Sequence, residues 1–187
     1  MPSRRPAQHD PHRTDRRGET AMTHERRGKS DEWYTPRYVF DALGCTFDMD
    51  VAHPRDHSHT SVPARRFLYE RGLETDWSGL VWMNPPFGNG DRAKLLWMER
   101  FFEHGDGVAL TPDRTSAGWF QKCWGRADAM LFVAPKIKFV APDGSLGEQP
   151  GNGTVLWASG PRGVAALMNA HRNGLGQIAR PYREEAA

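Results

Sequence analysis

The stretch "LVWMNPPFGNG", Leu80 to Gly90, carries a short apolar run straight into an asparagine, two prolines and an aromatic ring. Pro85 and Pro86 withdraw two backbone N–H donors and hold φ near about −65°, so the segment can neither continue as a central strand nor enter a helix there. The chain must stop and present what it holds. That is the side-chain carbonyl of Asn84, carbonyls fixed by the prolines, and the flat face of Phe87.

Working outward, "SDEWYTPRYVFDAL" reads as the start of order, with Thr35 as N-cap, Pro36 at the first helical position, and Tyr38, Val39 and Leu43 on one face of a helix ending at Gly44. "CTFDMDVA" alternates, which predicts a strand over residues 45–51. "ARRFLYERGL" has room for a short helical turn. Beyond the prolines, "DRAKLLWMERFFEHG" has helical period and closes at Gly105; "GVALTP" and "AMLFVAP" read as strands on either side of a short helix, "SAGWFQKCW". "IKFV" and "TVLWAS" suggest a hairpin around residues 141–153, and "PRGVAALMNAHRNG" a last helix. Alternating strands and helices predict an α/β layered domain with a mainly parallel sheet and an antiparallel hairpin at its C-terminal end. In such sheets ligands bind beyond the carboxyl ends of the strands. Two of those ends are informative: one carries Asp48 and Asp50, the other runs into Asn84-Pro85-Pro86-Phe87.

The chain of 187 residues is expected to fold as one domain over 31–178, after a basic arm at 1–30 and before a polar tail at 179–187. The arm has eight Lys and Arg against four acids, giving +4, whereas the whole chain is only +2. So polar a segment cannot bury enough surface to offset its ordering entropy; it reads as a disordered arm suited to phosphates, or equally as an unselected tail. Mean hydropathy is −0.71, and neither a membrane-spanning run nor the apolar stretch of a signal peptide is visible, so a cytoplasmic location is expected. Cys45 and Cys123 are too few for a disulfide framework and read as free thiols.

"NPPF" after an apolar strand resembles the (D/N/S)PP(Y/F) motif of amino-methyltransferases that use S-adenosylmethionine. Together with "DEWYTP", "FDMDVA", "DWSGLVWMNPPFG", "GVALTPDRTSAGWF" and "KIKFVAPDG", in that order over about residues 31–159, it resembles the phage and prophage Dam-like family of DNA N6-adenine methyltransferases. The resemblance implies a Rossmann-like methyltransferase fold, S-adenosylmethionine as cofactor, and double-stranded DNA with a flipped adenine as partner. No obligate protein partner is expected.

The chemistry fits the residues. The exocyclic amine of adenine is a poor nucleophile, because its lone pair is delocalised into the ring. Asn84 Oδ1 and the Pro85 carbonyl can accept its two N–H bonds, the double proline fixes that backbone acceptor in advance, and Phe87 can stack on the extruded base. The resemblance implies that Asp50 or Asp48 stands near the methionine and ribose part of the cofactor, that Trp33, Tyr34, Thr35 and Pro36 pack at its methionine end, and that Asp76 lies toward its adenine. Strict alternation would place Asp48 and Asp50 on one face, with Phe47 and Met49 on the other. Capping of a turn is the alternative for both acids, a surface turn for Asp76, and an aromatic anchor with an N-cap equally for the segment from Trp33 to Pro36. Arg114 at a strand end and the pair Lys136 and Lys138 suit the DNA backbone; lysines guarding an edge strand explain that pair equally well. His53, His57 and His59 beside three aspartates lack the spacing of a catalytic metal site, and no metal is expected. Three rival functions stay open: methyl transfer to RNA or protein, a silent or modification-sensing DNA-binding protein on the same fold, and, last, a metal hydrolase using the His/Asp loop.

Overall fold

A computed structural model describes residues 33–56, 58–86 and 90–183. The basic arm, His57, Phe87 and the end of the tail therefore lie outside the described residues. The elements run α1 (Arg37–Leu43), β1 (Phe47–Asp50), β2 (Ala64–Phe67), β3 (Val81–Met83), α2 (Gly90–His104), β4 (Gly107–Pro112), α3 (Gly118–Trp124), β5 (Ala129–Val133), β6 (Thr154–Ser159), α4 (Gly160–Arg172) and β7 (Gly176–Ala179).

The seven strands form one sheet in the order β2-β1-β3-β4-β6-β5-β7. Pairs among β2, β1, β3 and β4 are parallel, whereas β6 is antiparallel to both β4 and β5, and β7 is antiparallel to β5. The expected α/β layering is present, but antiparallel pairing extends over half the sheet and is not confined to one hairpin. "IKFV" is not the partner of β6. It contributes only Val140, bridged to Tyr34 and Leu146, while β6 sits between β4 and β5 with all six residues buried. A strand covered on both faces has no polar side to alternate with, which is why the run Val155 to Ala158 between Thr154 and Ser159 is continuously apolar. "ARRF" pairs with β1 as an edge strand in place of the expected helical turn, with Arg65 and Arg66 exposed.

Helices cover both faces. Phe40, Leu43, Ala166 and Leu167 of α1 and α4 pack with Trp82, Leu110 and Leu156 on one face; Met98, Phe101, Trp119 and Phe120 of α2 and α3 pack with Met83, Ala109 and Trp157 on the other. Each fully buried large side chain contributes roughly 1.5 to 3 kcal/mol. At the seam between α4 and the sheet, a Cβ on Gly163 would lie 2.2 Å from the Gly107 carbonyl oxygen, so only glycine allows this approach.

Cys45 and Cys123 are both free, and burial pushes each thiol up to about 11. Because these folded-state values lie above the ordinary thiol range, the native state keeps both sulfurs protonated at neutral pH. Buried Cys123 is expected to react with a disulfide reagent at pH 7 only as the protein unfolds. Labelling of both thiols at the rate of a free peptide thiol would contradict that.

Candidate active site

The parallel half of the sheet fixes where a ligand can sit. The chain leaves β1 for β2 on one side and returns with β3 on the other, so the strand order reverses between β1 and β3. Crevices in open α/β sheets form at such a reversal, outside the carboxyl ends of the two strands. Asp50 is opposite Trp82 in the ladder, and Asn84 follows two residues later, so both residues stand at this point.

Asn84 is half-buried. Its Nδ2 donates to Thr35 Oγ1 over 3.4 Å, while its Oδ1 is shielded from solvent with no hydrogen-bond partner among the described residues. An unmatched buried acceptor costs about 1 to 3 kcal/mol, so one that stands at the carboxyl end of β3 is a candidate position for an arriving donor. Pro85 is buried beside it and Pro86 is exposed.

Thr35 is 3% exposed, and its role differs from expectation. Pro36, not Thr35, occupies the N-cap of α1, with φ −69° and ψ 152° and no side-chain cap. The Thr35 hydroxyl is thereby left to meet Asn84. Tyr34 is buried and exchanges backbone hydrogen bonds with Val140, 2.8 Å from its amide and 2.9 Å to its carbonyl. Trp33 is 39% exposed and lies against Gly147, where an added Cβ would come within 2.6 Å of its ring. Of the four residues from Trp33 to Pro36, the structure thus brings Thr35 into contact with Asn84, while Tyr34 pairs with Val140 and Trp33 lies against Gly147.

The two acids of β1 go to different places. Asp50 is 2% exposed; its Oδ1 accepts from the Ala52 amide at 3.1 Å, and its Oδ2 lies 2.6 Å from His53 Nδ1 in a buried hydrogen bond. Two of roughly four acceptor positions on the carboxylate are then taken, leaving capacity for a hydroxyl or ammonium. Asp48 is held instead by the Leu80 amide at 2.7 Å, Arg162 at 3.2 Å and Arg65 at 3.3 Å. Those partners belong to the amino-terminal edge of the sheet, where Ser159 at the end of β6 pairs with Gly107 at the start of β4. The reason is a bulge: the amides of Asp48 and Met49 both donate to the Leu80 carbonyl, at 2.8 and 3.4 Å. Alternation slips there, and Phe47 and Met49 pack in opposite cores.

The Leu80 amide first, then Arg162, hold the Asp48 carboxyl below its ordinary range. A depressed folded value contributes stability above the unfolded carboxyl pKa, about 3.9, and loses it as pH falls through the lower folded value. Asp48→Asn is therefore expected to lose stability at pH 7 and to show a smaller further loss than the parent between about pH 5 and 3. Urea midpoints at several pH values read this; equal acid losses in both proteins would contradict it.

Asp76 is fully exposed and 4.0 Å from Arg100, in the turn that precedes β3, so it too stays apart from Asn84. Arg114 is exposed in the turn after β4, beside a cleft lined by Asp113, Thr115, Ser116 and Ala117. Lys136 donates to the carbonyls of Gly151 at 2.8 Å and Pro150 at 3.4 Å, whereas Lys138 is exposed. Among the described residues no three His, Cys, Asp or Glu side chains converge as metal ligands. His53, weighed from the sequence only as a metal ligand, is instead the partner of Asp50, and an aspartate and a histidine three apart after a strand were the signal for that pairing.

The structure therefore sets a buried acceptor, Asn84 Oδ1, at the strand-order reversal of an α/β sheet. The family is more definite. The chain belongs to the DNA N-6-adenine-methyltransferase (Dam) family, which matches it over residues 22–165, well over half its length. No curated protein and no solved structure matches it. Family membership makes it a DNA adenine-N6 methylating protein in class, and no helix among the described residues is long and apolar enough to cross a membrane.

Proposed function

We propose that the protein transfers the methyl group of S-adenosylmethionine to N6 of an adenine extruded from double-stranded DNA. The observation that carries this reading is the buried Oδ1 of Asn84, without a partner among the described residues and followed in the chain by Pro85, in a chain of this family. Two acceptors on one amine favour a more tetrahedral nitrogen, with its lone pair aimed away from the ring. Thr35 orients the amide by accepting from Nδ2, which leaves Oδ1 as the free acceptor. Phe87, three residues on in the sequence, is assigned the stacking face for the base.

The residues present fit the cofactor at one end of the crevice. Asp50, with its remaining acceptor capacity, would take its hydroxyl or ammonium groups, and Trp33, Tyr34 and Pro36 would pack against its methionine part, where an aromatic face suits a sulfonium cation. When bound, the cofactor supplies an electrophilic methyl on that sulfonium. No strong general base is required of the chain, because the amine becomes acidic as it is methylated and releases its proton to water. Asp48 and Asp76 take no part in this assignment, and Lys136 serves to brace a loop. Arg114 and Lys138 remain the candidate phosphate contacts. A Rossmann-like relationship draws support from the four parallel strands with their reversal at β1 and β3. The same reading places the protein in the cytoplasm of a bacterial host, as a phage or prophage product.

The test is calorimetric binding of S-adenosylmethionine, followed by mass analysis of nucleosides from unmethylated DNA treated with the same preparation. Binding with N6-methyladenine is the expected result. Binding with methyl transfer only to RNA or protein would redirect the substrate, and DNA binding without cofactor binding would favour a silent reader of DNA.

A further inference from the structure

Strands β5 and β6 are adjacent and antiparallel, in register to Phe132 opposite Val155. Neighbours of this kind are usually joined by about two to five residues. Here the connection runs from 134 to 153 and folds into an arm of its own. Val140 bridges Leu146, Ala141 N donates to Ser145 O at 2.8 Å, and Gly147 N donates to Phe139 O at 2.8 Å.

The arm rises from the edge that carries Asn84, because β5 runs in the same direction as β4. It is braced on three sides. At its feet, Asp113 N donates to Gly153 O at 3.1 Å and Lys136 ties the carbonyls of 150 and 151. Along its length Val140 pairs with Tyr34, the neighbour of Thr35. At its turn, Gly144 lies against His59, whose ring would be 2.8 Å from an added Cβ. Despite this support, Leu146 is 63% exposed, with Trp33 on the same arm's flank at 39%.

Resting on the methyltransferase reading, we propose that residues 134–153 are the DNA-reading arm of the protein, with Leu146 as the wedge that enters the base stack beside the target adenine. Apolar side chains inserted between base steps hold a duplex open, and a base turned out of the stack leaves a gap for them. The ladder Tyr34, Val140, Leu146 spans two strand spacings, about 10 Å from the segment touching Asn84. That offset suits one side chain in the helix while the base lies in the crevice. Lys138 on the arm and Arg114 beside its foot are exposed for the flanking phosphates. Asp143 is tied to Ser145 at the turn, so its charge is partly satisfied within the arm.

The test begins with the unaltered protein mapping its own target in unmethylated genomic DNA. Two oligonucleotides carrying that target are then compared: a fully paired duplex, and the same duplex with an abasic site opposite the adenine, where little opening work remains. Leu146→Ala is expected to lower kcat/KM at least tenfold on the paired duplex and less than about twofold on the abasic one, with cofactor affinity unchanged. Leu146→Met should restore most of the duplex rate. Equal losses on both oligonucleotides, or a duplex rate within twofold of the parent, would overturn the wedge while leaving the methyltransferase reading intact. Absence of methylation by the unaltered protein would overturn both.

Discussion

Replacing Asn84 by alanine is expected to lower methyl transfer by about 100-fold or more, the scale seen when one preorganised polar contact to a reacting group is removed. The site explains why so short a change should cost so much. Asn84 Oδ1 is buried and has no partner among the described residues, so its desolvation is already borne and an arriving N–H donor would offset it. Alanine removes that acceptor and leaves the Thr35 hydroxyl without its Nδ2 donor. The Pro85 carbonyl alone cannot direct the lone pair of the amine. Asn84→Asp keeps an acceptor in place, and the resemblance to a (D/N/S)PP(Y/F) motif leads us to expect far smaller losses there. Cofactor affinity, read by calorimetry, should change little in either variant, because the effect belongs to the orientation of the amine. Turnover of Asn84→Ala within a few-fold of the parent would mean that the methyl acceptor is held elsewhere.

The parts of this site legible in the sequence were those fixed by local covalent geometry. Two prolines after an apolar run announce a strand end whatever the rest of the chain does, and Asn84 was placed correctly at one for that reason. The partnership of Thr35 with Asn84 was half visible. The Thr-Pro pair marked a helix start, but the shift of Pro36 into the N-cap, which leaves the hydroxyl available, depends on contacts between residues far apart in the chain.

Asp48 was misplaced on the active face for a comparable reason. Alternation is a property of regular pairing, and whether one carbonyl of β3 accepts from two successive amides of β1 is decided between strands, not within one. Strand β7, "GQIA", escaped notice because four residues with one buried glycine carry no period; pairing to β5 makes it a strand. The hairpin assignment failed at β6 because the chain order suggested a neighbour that the arm at 134–153 had moved away.

Truncating Trp157 to alanine is expected to cost about 3 to 5 kcal/mol of stability, the largest structural effect of any substitution considered, and to lower Tm by roughly 10 °C. Trp157 is fully buried in β6, with its ring 4.6 Å from Phe120, 6.3 Å from Phe102 and 6.5 Å from Trp119. Its Nε1 donates to Thr111 Oγ1 at 2.7 Å, binding β6 to β4 by side chains as well as by backbone. Alanine would leave a cavity lined by three aromatic rings and would take from the Thr111 hydroxyl, 1% exposed, the N–H that donates to it, leaving only its own bond to the Pro112 carbonyl. Trp157→Phe separates the two contributions, since it keeps most of the ring volume and loses only the N–H; a loss of about 1 to 2 kcal/mol is expected there. The consequence reaches function through the sheet. Strand β6 is the seam between the parallel half, which carries Asp50 and Asn84, and the antiparallel half, which carries the arm at 134–153. Loosening that seam should weaken duplex methylation before it weakens cofactor binding, so the two activities of Trp157→Ala should part as temperature rises toward its midpoint. Denaturant unfolding of the two variants beside the parent measures the first expectation, and a Trp157→Ala protein as stable as the parent would show that β6 is not the strand that holds the two halves together.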